Sequence, residues 1–193
     1  MSAPGFSGWR AVVLHAAGEG TDRLVRQLGL LGLEAVVHWQ PLDLARTPAD
    51  VVFVDADQGW GGLLPWGTEA APVPVVALLQ SEAPGRIAWA IAQGASAIVA
   101  KPVVAASVYP ALVLAAAIHA ERAAMAERVR HLEERLRLRP LVHQAVQQVM
   151  AAKGLEEEAA WARLRLAAMQ RRITLEQAAG DYLAGITRLP EVG

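Results

Sequence analysis

The sequence DVVFVD at residues 50–55 is a short, uninterrupted apolar run with a carboxylate at each end. Similar runs of strand length occur at residues 11–14, 35–37, 73–79 and 97–99. Continuous apolar strands are typical of a parallel sheet that is buried on both faces, whereas alternation indicates a sheet with one face in water. The five runs therefore predict a parallel sheet.

Helical patterns separate some of these runs. Leu24, Leu28 and Leu31 recur at helical spacing, and a second helix-like stretch covers residues 87–93. Strands that alternate with helices predict an α/β, doubly wound domain of the flavodoxin-like kind, which we place at residues 1–110.

The composition excludes several kinds of protein. Hydrophobic residues make up 54% and charged residues 19% of the 193, which is enough apolar material for a core. The chain has no cysteine, so it has no disulfides, thiol catalysis or thiolate metal site. No run reaches the roughly 18 apolar residues of a membrane span. We expect a soluble, cytoplasmic protein that makes no membrane contact.

A second segment, residues 111–138, has the pattern of one long helix. Its apolar side chains recur at three- and four-residue spacing within a charged shell, and they are Ile118, Met125, Val129, Leu132 and Leu136. A narrow apolar seam of this kind favours a coiled coil, and hence a homodimer. A surface helix packed on its own domain is the alternative.

Residues 139–193 predict a small module of three helices. Pro140 suits the first turn of the first helix, and Gly154 ends it. Three acids at 156–158 suit the positive end of the second helix, and Thr174 can cap the third. Because helices of this size form only a marginal core, we expect the module to be stabilised by packing against the coiled coil or against a second copy of the chain.

The first domain resembles the receiver domain of response regulators. Asp55, at the end of the third strand, stands where that family accepts phosphate, and Lys101, before Pro102, matches the lysine that contacts the phosphoryl group. The family's acidic pair, which holds magnesium, is replaced by residues 15–17, which read HAA, and its threonine or serine by Leu79. Phosphoryl transfer to a carboxylate needs a divalent ion to neutralise the phosphate oxygens. We therefore expect a degenerate site in a pseudo-receiver, with Asp55 and Lys101 as a remaining ion pair and no cofactor.

Residues 139–185 match a second pattern, which combines small, apolar, acidic and arginine positions at fixed spacing. The matching residues are Ala145, Val149, Met150, Gly154, Glu156, Glu157, Glu158, Ala160, Trp161, Leu164, Arg165, Ala168, Met169, Ala178 and Ala179. This segment resembles the ANTAR domain, an RNA-binding antitermination module. It departs from the family at Val146 and Gln147, where the pattern has Lys-Gly.

The combination of pseudo-receiver, coiled coil and ANTAR domain resembles the antiterminators that regulate amidase operons. The resemblance implies a regulator that binds hairpin leader RNA and prevents a terminator from forming. It also implies a partner, an amide-sensing negative regulator of periplasmic-binding fold, which sequesters the antiterminator until an inducer binds. The activity of the regulator would then be controlled by contact with a partner protein and not by phosphorylation.

The candidate RNA-binding side chains lie in the third segment. They are Arg139, His143, Gln144, Gln147, Gln148, Arg165, Arg171 and Arg172. Arginine can pair with phosphate oxygens and stack on splayed bases, and the neutral side chains can bond base edges. If the second helix continues far enough, Arg165 and Arg172 share one of its edges. The alternative is a solvated helical face. Trp161 could stack a base, although its position next to Ala160 favours the core.

Three other functions have different requirements. An enzyme would need a nucleophile with a base, metal-ligand spacing or a phosphate-binding glycine loop, and the sequence has none of these, so we expect no catalytic or metal site. A phosphorylation-dependent response regulator would need the missing acidic pair. A dimeric adaptor without RNA binding would be indifferent to the loss of Arg165 and Arg172.

Overall fold

The computed structural model describes residues 5–67, 69–187 and 189–190. The elements of the described chain are β1 Arg10–Leu14, α1 Glu19–Leu30, β2 Glu34–His38, β3 Val51–Asp55, β4 Val75–Leu79, α2 Pro84–Ala92, β5 Ala95–Ala100, α3 Ala105–Lys153, α4 Glu157–Arg171 and α5 Leu175–Leu183. The chain forms two compact units that divide between Ala124 and Met125, within α3. No helix of the described residues is both long and apolar enough to cross a membrane.

The first unit is built on a parallel sheet with the strand order β2-β1-β3-β4-β5. Every residue of β3 and β4 is buried, as their uninterrupted apolar sequences predict. The edge strand β2 is more exposed, and its Val36 and Val37 lie partly in water. The predicted α/β receiver-like domain is confirmed.

The two faces of the sheet are covered differently. On one face Leu24 and Leu28 of α1 and Leu112 of α3 pack against Val13 and Phe53. The other face has α2, but residues 39–50 and the described part of 56–74 contain no helix.

These two connections are rich in glycine, proline and turn residues, which oppose helix formation. They still close the core because they bury Leu42, Leu63, Leu64 and Trp66 against β1 and β3. The indole Nε1 of Trp66 donates to the carbonyl of Gln93 at 3.0 Å. Trp66 is thus a core residue, whereas Trp60 is 39% exposed and packs edge-on against Trp39.

Replacing Gly59 by Ala should destabilise the first unit. A Cβ at Gly59 would lie 2.2 Å from the ring of Trp89, too close for any real contact. Overpacking of this kind costs about 1–3 kcal/mol. Urea unfolding of Gly59→Ala and of Gly61→Ala provides the measurement, because a Cβ at Gly61 meets nothing within 4 Å. Equal unfolding midpoints for the two variants would contradict this account of the packing.

Helix α3 runs without interruption from Ala105 to Lys153. The prediction that a new helix begins at Pro140 is therefore wrong. Proline removes one hydrogen bond and fixes φ at a helical value, and Val142 and Ala145 are buried just beyond it. Their packing holds the chain helical across the proline. The predicted domain limits at 110 and 138 both fall inside this helix and remain predictions.

The second unit packs the end of α3 against α4 and α5. Its core is made of small and medium side chains, which are Val142, Ala145, Val146, Val149, Ala160, Leu164, Ala167, Ala179 and Leu189. Gly154 ends α3 with a positive φ of 62°, as predicted. Thr174 caps α5, since its hydroxyl accepts from the amide of Gln177 at 3.1 Å and the Gln177 side chain accepts from the amide of Thr174 at 3.0 Å.

Candidate nucleic-acid interface and receiver-like site

A groove of about 760 Å³ opens on the second unit between α3, α4 and the start of α5. Its lining combines apolar, aromatic and basic side chains, and consists of Leu132, Arg135, Leu136, Arg139, Val142, His143, Trp161, Arg165, Leu175 and Glu176. Three residues predicted to bind RNA thus meet here, namely Arg139, His143 and Arg165.

Trp161 and Arg165 form the α4 side of this groove. Trp161 is half-buried against the bundle core, and the guanidinium carbon of Arg165 lies 5.7 Å from its ring centroid. A cation held over an aromatic face at this distance is attracted by the ring quadrupole. Trp161 therefore packs on the bundle core, as its position next to Ala160 predicts, and also forms a wall of the groove. Stacking on a base remains a prediction.

The charges in the groove are mixed. Arg135, Arg139 and Arg165 bring three positive charges, and Glu176 brings one carboxylate. The Nε atom of Arg135 lies 3.7 Å from Oε1 of Glu176. Arg135 and Glu176 were missed from the sequence, because Arg135 reads as part of the charged shell of a long helix and Glu176 as an ordinary first-turn acid of α5.

The other predicted RNA-binding residues lie elsewhere. Helix α4 ends at Arg171, and Arg172 has a left-handed φ of 55°, so the condition under which Arg165 and Arg172 would share one edge of the helix is not met. Nη2 of Arg171 lies 2.6 Å from Oδ2 of Asp181, and Nη1 of Arg171 donates to the hydroxyl of Thr187 at 2.9 Å. These contacts tie α4 to the end of α5.

The three glutamines and Val146 differ in their exposure. Gln144, Gln147 and Gln148 are exposed on α3 but do not line the groove. Val146, which replaces the lysine of the ANTAR pattern, is fully buried in the bundle core. In this chain the position therefore serves packing.

The receiver-like site lies at the carboxyl ends of the strands in the first unit. Asp55 is 1% exposed, and its Oδ1 accepts from Nζ of Lys101 at 2.8 Å. Nζ of Lys101 also lies 2.8 Å from Oδ2 of Asp57. His15, which follows β1, places Nε2 at 3.2 Å from Oδ2 of Asp55. The predicted pair of Asp55 and Lys101 is present, within a larger network.

This network does not fit a magnesium ion. Receivers hold Mg²⁺ with oxygen ligands, and Mg²⁺ demands nearly ideal octahedral oxygen coordination. Here the position of the acidic pair holds the His15 ring, whose Nε2 lies next to Oδ2 of Asp55, and Oδ1 of Asp55 accepts from Lys101. No group of three or more His, Asp or Glu side chains in the described part of the chain could hold a metal ion.

The same contacts shift two pKa values. Burial raises the pKa of Asp57, but hydrogen bonds from Lys101, Ser81 and Gln80 outweigh it and leave the pKa below its ordinary value of 3.8. Burial lowers the pKa of Lys101, but its bonds to Asp55 and Asp57 raise the pKa above its ordinary value of 10.5. Both shifts favour the charged pair in the folded state.

Acid should weaken this network. Since the pKa of Asp57 is lowered by folding, the unfolded chain takes up a proton first, and the stabilisation present above about pH 4 is lost as the pH falls through the folded-state pKa. We expect Asp57→Asn to be destabilised at neutral pH and to lose less stability than wild type between about pH 5 and pH 3. Asp22→Asn, at an exposed position on α1, is the control for urea unfolding. If both variants keep the acid sensitivity of the wild type, the assignment to Asp57 is wrong.

Comparison with known proteins matches each of the two units to a protein family. The family model described as AmiR, N-terminal, matches residues 9–116, more than half of the chain, and the ANTAR domain model matches residues 130–181. The chain is 30% identical over 179 residues to the aliphatic amidase regulator of Pseudomonas aeruginosa, and the match covers 90% of each sequence.

The chain belongs to the AmiR family of ANTAR-domain regulators. The resemblance to an ANTAR regulator with a receiver-like domain is thereby confirmed. Among solved structures, the response regulator StyR is similar, with a TM-score of 0.55, 14% identity and coverage of 90% of this chain and 98% of StyR. Full-length FixJ from B. japonicum gives a TM-score of 0.47, 19% identity and coverage of 93% and 88%. At 14% identity, the likeness to StyR shows the fold alone.

Proposed function

We propose that this protein is a non-enzymatic antitermination regulator that binds hairpin leader RNA through the groove of its second unit. The observation that carries the proposal is the meeting of Arg139, His143 and Arg165 around one groove, with the Trp161 ring beside them. The relative in Pseudomonas aeruginosa supports an amidase-type operon as the target.

The groove suits the loop of an RNA hairpin better than a regular duplex. The major groove of A-form RNA is too narrow for side chains to read, so proteins read unpaired loop bases, which stack on aromatic rings or guanidinium planes. Arg165 over Trp161 offers such a plane, and Arg135 and Arg139 can pair with phosphate oxygens on the α3 side.

We also propose that a protein partner controls the regulator. The receiver-like site has His15 and not the acidic pair that receivers use to hold magnesium, which favours protein contact over phosphorylation as the input to the first unit. By resemblance to the family, the partner is an amide-sensing negative regulator of periplasmic-binding fold that sequesters the antiterminator in the cytoplasm until an inducer binds.

A homodimer through α3 completes the proposal. Met125, Val129, Leu132 and Leu136 are each between 46% and 59% exposed. They recur at heptad-like spacing on one face of the helix, and we refer to these four residues as the seam. Leu132 and Leu136 also line the groove, so the proposed dimer contact borders the proposed RNA site. Ile118, the fifth residue predicted for the dimer contact, is half-buried. Apolar side chains at this spacing are buried when two helices coil around each other.

Selection from a library of two-hairpin RNAs with randomised loops tests RNA binding. We expect the full chain to enrich particular loop sequences, and the enriched RNA to permit transcription through a downstream terminator in vitro only when the protein is present. The same hairpins as DNA, and duplexes without loops, are the controls. Absence of any enrichment would overturn the proposal in favour of a dimeric adaptor.

Phosphorylation is tested separately. We expect no phosphoryl adduct by intact mass after incubation of the full chain with acetyl phosphate and Mg²⁺. A stable adduct would favour a phosphorylation-dependent response regulator.

Replacing Glu176 by Gln should strengthen RNA binding. The substitution removes the one carboxylate of the groove lining and releases Arg135, whose partner it is, for a phosphate contact. One added phosphate contact makes the dependence of log affinity on log salt steeper by about 1. Filter binding of the selected RNA at several salt concentrations measures this effect. Glu133→Gln on the exposed surface of α3 makes the same charge change outside the groove. Equal gains for both variants would mean that net charge alone is responsible.

A further inference from the structure

The connection between β4 and α2 is held by a carboxylate that belongs to the end of another strand. Asp57, two residues beyond β3, accepts from the backbone amide of Ser81 at 2.9 Å through Oδ1 and from the backbone amide of Gln80 at 2.8 Å through Oδ2. The preceding residue, which is a threonine or serine in receivers, is Leu79, whose side chain forms no hydrogen bonds. In this chain the backbone of the connection is therefore bound directly, by Asp57.

Lys101 joins Asp57 to Asp55. Nζ of Lys101 lies 2.8 Å from Oδ2 of Asp57 and donates to Oδ1 of Asp55 at 2.8 Å. The backbone amide of Asp57 also donates to Oδ1 of Asp55 at 3.0 Å. Burial of Asp57 raises its pKa, but the bonds from Lys101 and the two amides outweigh it and leave the pKa below its ordinary value, so the carboxylate is ionised at neutral pH.

Lys101 is also the residue that matches the phosphoryl-binding lysine of receivers. A phosphoryl group carried by Asp55 would have to bring its oxygens within hydrogen-bond distance of Nζ of Lys101, and Oδ2 of Asp57 already lies there. Carboxylate and phosphate oxygens are both anionic acceptors, which bind ammonium groups and backbone amides strongly. Nζ of Lys101 and the amides of Gln80 and Ser81 thus form an oxyanion site that the chain fills with its own side chain.

We propose that Asp57 is an internal oxyanion that occupies, next to Lys101, the place of the phosphoryl group of a receiver. It holds the connection between β4 and α2 in one arrangement at all times, so the first unit needs no phosphate to reach that arrangement. The connection leads directly into α2, because the hydroxyl of Ser81 accepts at 3.0 Å from the amide of Ala83, the residue that precedes the helix. This inference concerns the first unit and is independent of the proposed RNA groove.

Removal of the carboxylate should leave a site that an added anion can fill. In Asp57→Ala the side chain ends at Cβ, so Lys101 and the two amides lose their acceptor, and formate has the charge and the atoms of the missing group. We expect the thermal unfolding midpoint of the full-length variant to rise with formate concentration, relative to chloride at the same ionic strength, as it does for a ligand that binds the folded state. Wild type should not respond, because its own carboxylate fills the site.

Two variants control for the loss of charge and of volume. Asp57→Asn is neutral but keeps the volume of the side chain, so it leaves formate no room and should not respond. Asp22→Ala removes a carboxylate from an exposed position on α1 and should behave as wild type. The proposal is overturned if Asp57→Ala gains nothing from formate, or if either control or wild type gains as much.

Hydrogen exchange of the wild-type chain gives a measurement that does not depend on a variant folding. Gln80 and Ser81 lie outside the strands and helices, so no ladder of backbone hydrogen bonds protects their amides. If Asp57 holds them, both should exchange at least about a hundredfold more slowly than in the unfolded chain. In Asp57→Ala they should exchange faster, and formate should slow them again. Exchange at the unfolded rate in wild type would show that the carboxylate does not hold the connection.

Discussion

Replacing Arg165 by Ala should weaken binding of the selected hairpin RNA by about ten- to a hundredfold, the effect of losing an interaction of about 1–3 kcal/mol. Arg165 is exposed and takes part in the groove through its contact with Trp161, so its removal leaves the bundle core intact. Arg139→Ala should have a similar effect from the α3 side of the groove. Filter binding across a range of salt concentrations measures both variants.

A further variant separates charge from shape at this position. Arg165→Lys keeps the positive charge but lacks the planar guanidinium that stacks on a ring or a base. If Arg165 acts on phosphate alone, the Lys variant should bind almost as well as wild type. If it stacks on a base beside Trp161, the Lys variant should lose most of the affinity that the Ala variant loses while keeping the salt dependence of wild type.

Arg128→Ala is the matched control for both arginines. Arg128 is exposed on α3 and does not line the groove. Its loss removes the same charge from the same unit, so it should change affinity little. If Arg128→Ala weakens binding as much as Arg165→Ala, the groove is not the binding site and binding follows the overall charge.

The strands were predictable because each one is a short run of apolar residues, and such a run by itself indicates a buried strand. Residues 51–54 and 75–79 are apolar without interruption, and the structure buries all of β3 and β4, to which these runs belong. The long helix was predicted less well. Pro140 favours a helix start in isolation, but the buried faces of Val142 and Ala145 outweigh that local preference. Such tertiary contacts join segments that are distant in sequence, so no local rule contains them.

The candidate sites, like the long helix, could be predicted from the sequence only in part. Arg165 was found through the family pattern, but its neighbours across the groove come from α3 and α5, and nothing in the sequence places Arg135 beside Glu176. Arg171 looked free for RNA until the structure paired it with Asp181. In the receiver-like site the sequence showed that an acidic pair was missing. That His15 faces Asp55 in its place depends on how β1 and β3 align in the sheet.

Replacing both Met125 and Val129 by Glu should convert a dimer into a monomer. Both side chains belong to the exposed seam, so burying them between two copies removes apolar surface from water, and two carboxylates in each copy would instead face each other. We expect the dissociation constant of the dimer to rise at least a hundredfold, or about 2.8 kcal/mol. Sedimentation equilibrium over a range of protein concentrations measures it. Ala123→Glu, on the exposed face of α3 opposite the seam, is the control and should remain dimeric.

The same double variant tests why the RNA should contain two hairpins. Met125 and Val129 do not line the groove, so the monomer keeps its site for one hairpin loop. Two linked grooves that engage two linked hairpins bind far more tightly than either alone, because the second contact is intramolecular. We therefore expect the variant to bind a single hairpin as wild type does and to lose about a hundredfold in affinity for the two-hairpin RNA. A wild-type chain that sediments as a monomer would exclude the seam as a dimer contact, and unchanged two-hairpin affinity would show that one copy is sufficient.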